Sequence, residues 1–215
     1  MKLKIDYVAD LGSGWCALNL HSLREALAQL PEIDVELDIR PFEQHPDLPP
    51  DGVDIREYFI ETYGADMALA TQTRDAMREW ARELDFDFRP DLRTRAYNSF
   101  DGHRLLRWAL AQPGPQVQQD LALALFDLTF NRGGNVSDPA QLLQCVEALG
   151  LDVTWAGQVL KTDAFADDVH ELEAAFREQG VDMLPALYVN GRLISQGSQT
   201  PSTYMTLLRV AACLA

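Results

Sequence analysis

The sequence predicts an α/β protein in which a block of helices interrupts a mixed β-sheet. Near each end of the chain, two short segments have the residue pattern of strands, and helical segments accompany them. The long middle part shows only the helical spacing of apolar residues. The predicted order is therefore βαβ, a helical block and then αββα, and 215 residues are enough to bury a sizeable core.

The first unit is a predicted βαβ unit. Leu3–Ala9 alternates apolar and polar side chains as a strand does, and Ala17–Leu30 carries leucines at helical spacing up to Pro31. Val35–Ile39 alternates with acidic residues and is closed by Arg40-Pro41-Phe42. Because one helix joins the two strands, they should pair in parallel through a right-handed crossover.

Helices alone are predicted for the middle part. A proline-rich loop, Pro46–Pro50, precedes them. Asp138-Pro139 is typical of an N-cap followed by proline at the first helical position, and Gly150 is typical of a helix stop. The six predicted helices are Ile55–Tyr63, Asp66–Leu84, Ser99–Ala111, Gln116–Asn131, Pro139–Leu149 and Val153–Lys161.

The last part of the chain returns to mixed structure. Asp163–Gln179 is a predicted helix. Ala186–Val189 and Arg192–Ser195 are predicted to form a hairpin around Asn190-Gly191, which is typical of a type I′ turn. A final helix, Ser202–Cys213, follows.

This order of elements is that of a thioredoxin fold with an all-helical domain inserted between its βαβ and αββα halves. Residues 1–45 and 163–215 are assigned to the thioredoxin-like domain. Residues 46–162 are assigned to the helical insertion domain.

Composition limits the partners and the location. The formal net charge of −15 argues against a nucleic-acid partner, which requires clustered Lys and Arg. The acidic residues are dispersed, as on a solvated surface. No window approaches the roughly 18 apolar residues of a membrane span, and the first residues lack the apolar region of a secretory signal. We expect a cytoplasmic protein without a membrane partner.

The cysteines predict neither a metal site nor a disulfide framework. Cys16, Cys145 and Cys213 are widely spaced, with no C-x-x-C and no Cys/His cluster. Cys145 and Cys213 fall within apolar helices and are expected to be small core residues. We expect no metal and no tightly bound cofactor.

The segment after the first strand has the shape of a redox loop without its nucleophile. In Asp10-Leu11-Gly12-Ser13-Gly14-Trp15-Cys16, Ser13 stands where a C-x-x-C loop has its first cysteine, so a dithiol–disulfide cycle cannot close. Ser13 lies at the expected helix N-terminus, where unpaired N–H groups and the helix dipole favour negative charge. Its hydroxyl either donates a hydrogen bond to a thiolate of another molecule or acts only as an N-cap.

The two residues that follow are also candidates. Cys16 lies one helical turn after Ser13 and is either a buried, slow thiol or a functional monothiol. Trp15 is expected to be exposed beside the loop, where it can cover an apolar substrate.

Two further candidate sites lie near the C-terminal strands. Leu184-Pro185 precedes a strand, and a cis bond there would turn the Leu184 backbone outward to pair with an extended peptide, whereas a trans proline at a strand edge is the alternative. Ser198 and Gln199 precede the last helix and either bind a carboxylate or only cap that helix.

A third candidate site lies in the helical block. Asn98 and His103 flank the start of a predicted helix. His103 is either a titrating site residue or a hydrogen-bonded structural histidine.

Together these segments resemble the DsbA-like thioredoxin superfamily, and within it the FrnE-type branch. The loop is similar to the family's D-x-x-C-P-W-C, and the resemblance covers nearly the whole chain. The kappa-class glutathione transferases and 2-hydroxychromene-2-carboxylate isomerases are cousins. Further matching segments are Arg40-Pro41-Phe42, Arg56-Glu57-Tyr58, Asn98 to Leu105, Phe130 to Asp152, Gly180-Val181, Val189-Asn190-Gly191 and Gly197-Ser198-Gln199.

The resemblance implies an active site between the thioredoxin fold and its helical insert, with Pro185 as a cis-proline. Members typically exchange thiols and disulfides through the C-x-x-C pair, but here Ser13 replaces the first cysteine and Gly14 the proline. In the kappa and isomerase cousins, a serine at this position is taken to hydrogen-bond the sulfur of glutathione.

Three functions follow as hypotheses. The first is a DsbA-family thiol-disulfide oxidoreductase homologue that acts on a glutathione or cysteine thiol, with Ser13 and Cys16 as catalytic residues. The second is a glutathione-dependent isomerase or transferase of small aromatic compounds. The third is a non-catalytic module that binds a cysteine-containing peptide. Glutathione is the expected cosubstrate of the first two, and a homodimer is left open.

Overall fold

The computed structural model describes residues 2–64, 67–112 and 114–214. Helices and strands are numbered separately in chain order. They are β1 Leu3–Ala9, α1 Gly14–Ala28, β2 Val35–Pro41, β3 Val53–Asp54, α2 Ile55–Tyr63, α3 Met67–Glu83, β4 Arg95–Ala96, α4 Phe100–Ala111, α5 Pro115–Phe130, α6 Pro139–Ala148, α7 Val153–Lys161, α8 Ala166–Glu178, β5 Ala186–Val189, β6 Arg192–Gln196 and α9 Pro201–Leu214.

The main sheet confirms the predicted thioredoxin topology. Its strand order is β2-β1-β5-β6, with β1 parallel to β2 and antiparallel to β5. The predicted hairpin between β5 and β6 is present, and Asn190 and Gly191 both have the positive φ that a type I′ turn requires. Strand β1 is central and mostly buried, so the loop that follows it starts from a fixed position.

Helix α5 of the inserted segment covers the outer edge of the sheet. The amide of the fully buried Gln118 donates to the Ile39 carbonyl at 2.9 Å and accepts from the Ile39 N–H at 2.8 Å. Gln119 donates to the Leu37 carbonyl at 3.0 Å. These contacts satisfy backbone groups of an edge strand and bind the insert to the thioredoxin core.

The inserted segment is helical apart from one short ladder. Strands β3 and β4 pair through Val53 with Ala96 and Asp54 with Arg95. The prediction of helices alone in this segment was wrong at this point, because two-residue strands carry no periodicity to read. The assignment of residues 46–162 to a separate domain stays a prediction.

Two helices and one cysteine differ clearly from the sequence-based prediction, and several other elements differ by one or two residues at their ends. Helix α1 begins at Gly14 rather than Ala17, so Trp15 and Cys16 are helical. Helix α8 begins at Ala166 rather than Asp163, because Phe165 has a left-handed backbone conformation with φ 63°. Cys145 is buried as expected, but Cys213 is exposed on the last turn of α9, so its prediction as a core residue was wrong.

The predicted start of the third helix at Asp66 lies outside the described residues. Over the described ranges, no helix combines the length and apolar character needed to cross a bilayer.

Candidate active site

Ser13 is the N-cap residue of α1, but its hydroxyl does not cap the helix. Its backbone is extended, and its side chain makes no capping hydrogen bond to the first turn of α1. The Ser13 N–H donates to the Asp10 carbonyl at 3.1 Å, and the Ser13 carbonyl accepts from the Ala17 N–H at 3.2 Å. The hydroxyl therefore lies at a helix N-terminus and is not used in a capping bond, which removes the simple N-cap interpretation.

Cys16 lies directly behind Ser13 and is completely buried. Burial raises the pKa of its thiol to about 12, and a hydrogen bond with the Ser13 side chain offsets only part of that effect. A thiol with such a pKa is protonated near neutrality, and the protonated form is not the nucleophile. The geometry favours the buried, slow thiol over the functional monothiol.

A cavity of about 250 Å³ opens in front of Ser13. One wall, here called the loop wall, consists of Gly12–Trp15, Gln44 and Asp182–Leu184. The opposite wall, here called the insert wall, comes from the inserted segment and is mainly apolar and aromatic. Its apolar members include Ile55, Tyr58, Phe59, Met77, Phe88 and Phe130.

Trp15 is half-buried at the junction of the two walls. Its ring centroid lies 6.0 Å from that of Trp80 on α3. The expectation of an exposed Trp15 was therefore wrong, because α3 packs beside it, but Trp15 does line the cavity.

The two walls touch at Gly14. A Cβ atom added to Gly14 would lie 3.2 Å from Met77 Sδ, 3.4 Å from Phe88 Cζ and 3.5 Å from Phe130 Cε1. This close approach gives a physical reason for glycine at the position where similar loops carry proline. A methyl group there would displace the flexible end of Met77 by a few tenths of an ångström, whereas the two aromatic atoms lie at ordinary contact distance.

Two arginines interrupt the apolar insert wall. The Arg93 guanidinium carbon lies 5.1 Å from the Phe130 ring centroid and 5.8 Å from the Tyr58 ring centroid. The Arg74 Nε is buried and has no hydrogen-bond partner among the described residues. The cavity thus contains positive charge although the whole chain has a net charge of −15.

The Leu184-Pro185 peptide bond is cis, which confirms the prediction. Leu184 lines the cavity, and within the described ranges its backbone N–H and C=O have no hydrogen-bond partner. The Pro185 carbonyl accepts from the Gly197 N–H at 2.9 Å. Leu184 therefore presents unpaired backbone groups beside Ser13, as strand addition requires.

Ser198 and Gln199 do not line the cavity. Ser198 Oγ accepts from Asn19 Nδ2 at 3.0 Å, and the Gln199 N–H donates to Asn19 Oδ1 at 2.7 Å. The Gln199 carbonyl accepts from Ser22 Oγ at 2.8 Å. These bonds attach the segment before α9 to α1, and carboxylate binding by Ser198 and Gln199 stays a prediction.

Asn98 and His103 also lie away from the cavity. Asn98 Nδ2 donates to Glu43 Oε1 at 2.9 Å and to the Pro46 carbonyl at 3.0 Å. Burial lowers the pKa of His103, and neither ring nitrogen has a hydrogen-bond partner within the described ranges. His103 is therefore neither a cavity residue nor the hydrogen-bonded structural histidine of the alternative reading.

The Asp10 carboxylate accepts hydrogen bonds from backbone groups of the loop wall. Its Oδ1 accepts from the Gly12 N–H at 2.7 Å and from Ser99 Oγ at 2.8 Å, and its Oδ2 accepts from the Gln44 N–H at 2.8 Å. Burial and the carboxylates of Glu173 and Asp10 raise the pKa of Glu43 to about 8. This buried acidic cluster was not identified from the sequence, because its members are far apart along the chain.

The insert wall was also missed in the sequence. Arg74, Met77, Phe88 and Arg93 have no shared motif, and only the fold brings them to Ser13. Among the described residues, no group of three His, Cys, Asp or Glu side chains is arranged to hold a metal ion.

Comparisons with known proteins agree with the fold. The model of the DSBA-like thioredoxin domain matches residues 4–209. A probable DsbA oxidoreductase from Streptomyces coelicolor is 24% identical, with a TM-score of 0.89 over 99% of this chain and 91% of that one. No protein in the curated set matches this chain.

Two more distant structures share the fold. The 2-hydroxychromene-2-carboxylate isomerase structure is 16% identical, with a TM-score of 0.68 over 98% of this chain and 95% of that one. The cytosolic disulfide reductase DsbM from Pseudomonas aeruginosa with GSH is 15% identical, with a TM-score of 0.61 over 98% and 96%. With the family match over nearly its whole length, the chain belongs to the DSBA-like thioredoxin domain family.

Proposed function

We propose that this protein is a glutathione-dependent isomerase or transferase that acts on a small aromatic or quinone-like electrophile. One observation carries the proposal. The Ser13 hydroxyl makes no capping hydrogen bond at the N-terminus of α1, and Ser13 lines a mainly apolar cavity. Cys16, by contrast, is fully buried. A hydroxyl in that position donates a hydrogen bond to a thiolate, and the helix dipole stabilises the negative charge.

The thiol component fits the loop wall. Glutathione is a short peptide, and the unpaired N–H and C=O of Leu184 match its backbone when its sulfur lies against Ser13. A neighbour in the same fold was solved with GSH, which supports glutathione as the thiol. A second neighbour is an isomerase by name, which supports the reaction class.

The chemistry needs no external oxidant or reductant. The thiolate sulfur attacks an electron-poor carbon, a C–S bond forms, and the π pair of the attacked double bond moves onto the conjugated oxygen. In isomerisation, rotation about the former double bond and return of that pair expel the thiolate unchanged. In transfer, the enolate is protonated at the carbon next to the carbonyl or, for a quinone, on oxygen, by a proton equal to the one that the thiol released, and the thioether is the product.

Thiol–disulfide exchange is the weaker assignment for this site. It requires a thiolate on the protein, and the pKa of Cys16 is raised to about 12 by burial. A mixed disulfide at Cys16 also requires the loop wall to open, since the thiol is fully buried.

Calorimetric titration with glutathione tests the proposal. Wild-type protein should bind glutathione more tightly than S-methylglutathione, which has no ionisable thiol. The Ser13→Ala variant should lose that preference, by about tenfold for one charge-assisted hydrogen bond. Equal binding of both ligands by wild type, or an unchanged preference in Ser13→Ala, contradicts the proposal.

A binding module for cysteine-containing peptides is the second candidate function. The unpaired backbone of Leu184 favours it, because strand addition needs no reaction at Ser13. The two candidates differ in turnover. Glutathione adduct formation with a quinone or an unsaturated aryl ketone, above the uncatalysed rate and dependent on Ser13, supports the enzyme, and tight peptide binding without turnover supports the module.

A further inference from the structure

We propose that Arg74 is a further catalytic residue of this cavity, and that it stabilises the oxyanion that forms when a thiolate adds to the electrophile. The inference rests on the proposed function and deepens it, because it assigns the group that meets the negative charge as this charge develops. It depends on a buried guanidinium nitrogen that no described residue accepts from.

Arg74 lies within one helical turn of the place where the two walls touch. It precedes Met77 on α3 by three residues, or about 5 Å along the helix axis, and both residues line the cavity. Met77 Sδ would lie 3.2 Å from a Cβ atom at Gly14, the residue after Ser13. A carbon attacked by a sulfur at Ser13 therefore lies near Met77, and its conjugated oxygen is within reach of the long Arg74 side chain when that oxygen points along α3.

The charge of Arg74 has no partner in the part of the chain that the structure describes. No ion pair or hydrogen bond there involves its guanidinium, and its Nε is buried. One turn further along α3, Arg78 forms ion pairs with Asp75 and Asp91 at 3.6 Å and 3.5 Å. Because a buried donor without an acceptor is costly, an acceptor that arises in the cavity is favourable for Arg74 in a way that it is not for Arg78.

The addition step creates a strong acceptor on the electrophile. When the sulfur forms the C–S bond, the π pair of the attacked double bond moves onto the conjugated oxygen, which becomes an oxyanion. Arg74 donates N–H hydrogen bonds to this oxygen and transfers no proton to it, because a guanidinium is not deprotonated in proteins. The bonds are stronger to the oxyanion than to the neutral carbonyl, so they lower the barrier more than they tighten substrate binding.

Arg93 belongs to the same wall but is held differently. Its guanidinium carbon lies 5.1 Å from the Phe130 ring centroid and 5.8 Å from the Tyr58 ring centroid. Both distances are within the range of cation–π contacts, which hold the guanidinium against the two rings. The oxyanion is therefore assigned to Arg74, and Arg93 serves as a comparison in the test.

A stable oxyanion tests this role without any reaction and without glutathione. The probe is para-nitrophenol, which has one ring and no carboxylate, and visible absorbance follows its phenolate as the pH is varied with the full-length protein in excess. Wild type should lower the pKa of the bound phenol by about one unit, which corresponds to an about tenfold preference for the phenolate. Arg74→Gln should lose most of this shift, and Arg74→Lys should keep part of it because the charge remains.

Two matched variants control the phenol titration. Arg78→Gln lies on the same helix and should keep the full shift. A shift that survives in Arg74→Gln, or one that disappears only in Arg93→Gln, overturns the assignment whether or not the protein binds glutathione.

Steady-state kinetics give the second readout, with glutathione and benzylideneacetone, an unsaturated aryl ketone without a carboxylate. Arg74→Gln should lower kcat by about a hundredfold and change KM for either substrate by less than about threefold. An unchanged kcat overturns the catalytic role. A raised KM for glutathione with an unchanged kcat would show that Arg74 binds a carboxylate of glutathione, and it also overturns the role. Wild-type protein without turnover contradicts the proposed function, and with it the catalytic role, even where the phenol shift depends on Arg74.

Discussion

The two walls of the cavity differ in how they are built. The loop wall is built around the turn that leads into α1, and hydrogen bonds from the Gly12 and Gln44 N–H groups to the Asp10 carboxylate hold it in place. The insert wall is formed by side chains of separate helices and loops, and its contacts are mostly apolar or aromatic. The loop wall therefore offers fixed polar groups, and the insert wall offers an apolar shape that two arginines interrupt.

Under the proposed function, this difference assigns the thiol to the loop wall and the electrophile to the insert wall. A thiolate needs oriented donors at a fixed point, which the N-terminus of α1 and Ser13 supply. An aromatic electrophile needs apolar area, which the insert supplies.

The largest expected effect is a difference in thiol reactivity. At pH 8, a thiol with a pKa of about 12 is only about one part in ten thousand thiolate, and Cys16 is also shielded from reagents. Ellman's reagent should therefore react quickly with the exposed Cys213 and at least about a thousandfold more slowly with Cys16. Stopped-flow absorbance gives both rates.

The matched variants identify each phase. Cys213→Ser should remove the fast phase and leave the protein otherwise unreactive on that timescale. A second fast phase that disappears in Cys16→Ser would show that the loop wall has a reactive thiol, and would restore the oxidoreductase hypothesis.

The next effect concerns the acidic cluster beneath the loop wall. The pKa of Glu43 is raised to about 8 in the folded protein, from a usual value of 4.5, so folding takes up a proton between these values. The stabilisation is complete below pH 4.5 and declines as the pH rises to about 8. Glu43→Gln should flatten this decline, by about 1–3 kcal/mol between pH 5 and pH 8.

Urea denaturation at a series of pH values measures the Glu43 effect. Glu147→Gln, a substitution at an exposed position of α6, is the control and should leave the pH dependence unchanged. If the free energy of unfolding of wild type rose steadily from pH 5 to pH 8, and Glu43→Gln removed that rise, the raised pKa of Glu43 would be contradicted.

The smallest effect tests the contact between the two walls. Gly14→Ala places a methyl group 3.2 Å from Met77 Sδ, so the flexible end of that side chain, which lines the cavity, must shift. Affinity for trans-cinnamamide should fall about threefold, and affinity for glutathione should change less than about twofold. Stability should change little, since the gain in helix propensity of up to about 1 kcal/mol offsets the crowding.

The double variant Gly14→Ala/Met77→Ala sharpens that test. It removes the crowded atom and should recover the amide affinity of the Met77→Ala single variant, as measured by calorimetry. A Gly14→Ala variant that loses glutathione and keeps cinnamamide would reverse the assignment of the walls.

The helices and strands could be predicted from the sequence more completely than the residues that line the cavity. The strands Leu3–Ala9 and Ala186–Val189 and the helices Ile55–Tyr63 and Val153–Lys161 match the structure residue for residue. Their patterns are local, so periodicity and turn residues suffice to define them. The loop around Ser13 was found because its spacing is also local.

The insert wall and the acidic cluster could not be predicted in the same way. Arg74 and Phe130 line the same cavity from helices far apart in the chain, and Asp10 comes near Glu43 and Glu173 only through the fold. Asn98 and His103 were chosen from a recognisable segment, yet they lie near that cluster and not in the cavity.

The most direct test of the account is the ionisation of bound glutathione, followed by the ultraviolet absorbance of its thiolate as the pH is varied. Wild type should lower the pKa of the glutathione thiol from its free value by about one unit or more, because Ser13 and the α1 N-terminus stabilise the thiolate. Ser13→Ala should lose most of this shift, and Cys16→Ala should keep it. A shift that survives in Ser13→Ala, or one that disappears in Cys16→Ala, would contradict the assignment of thiol binding to Ser13.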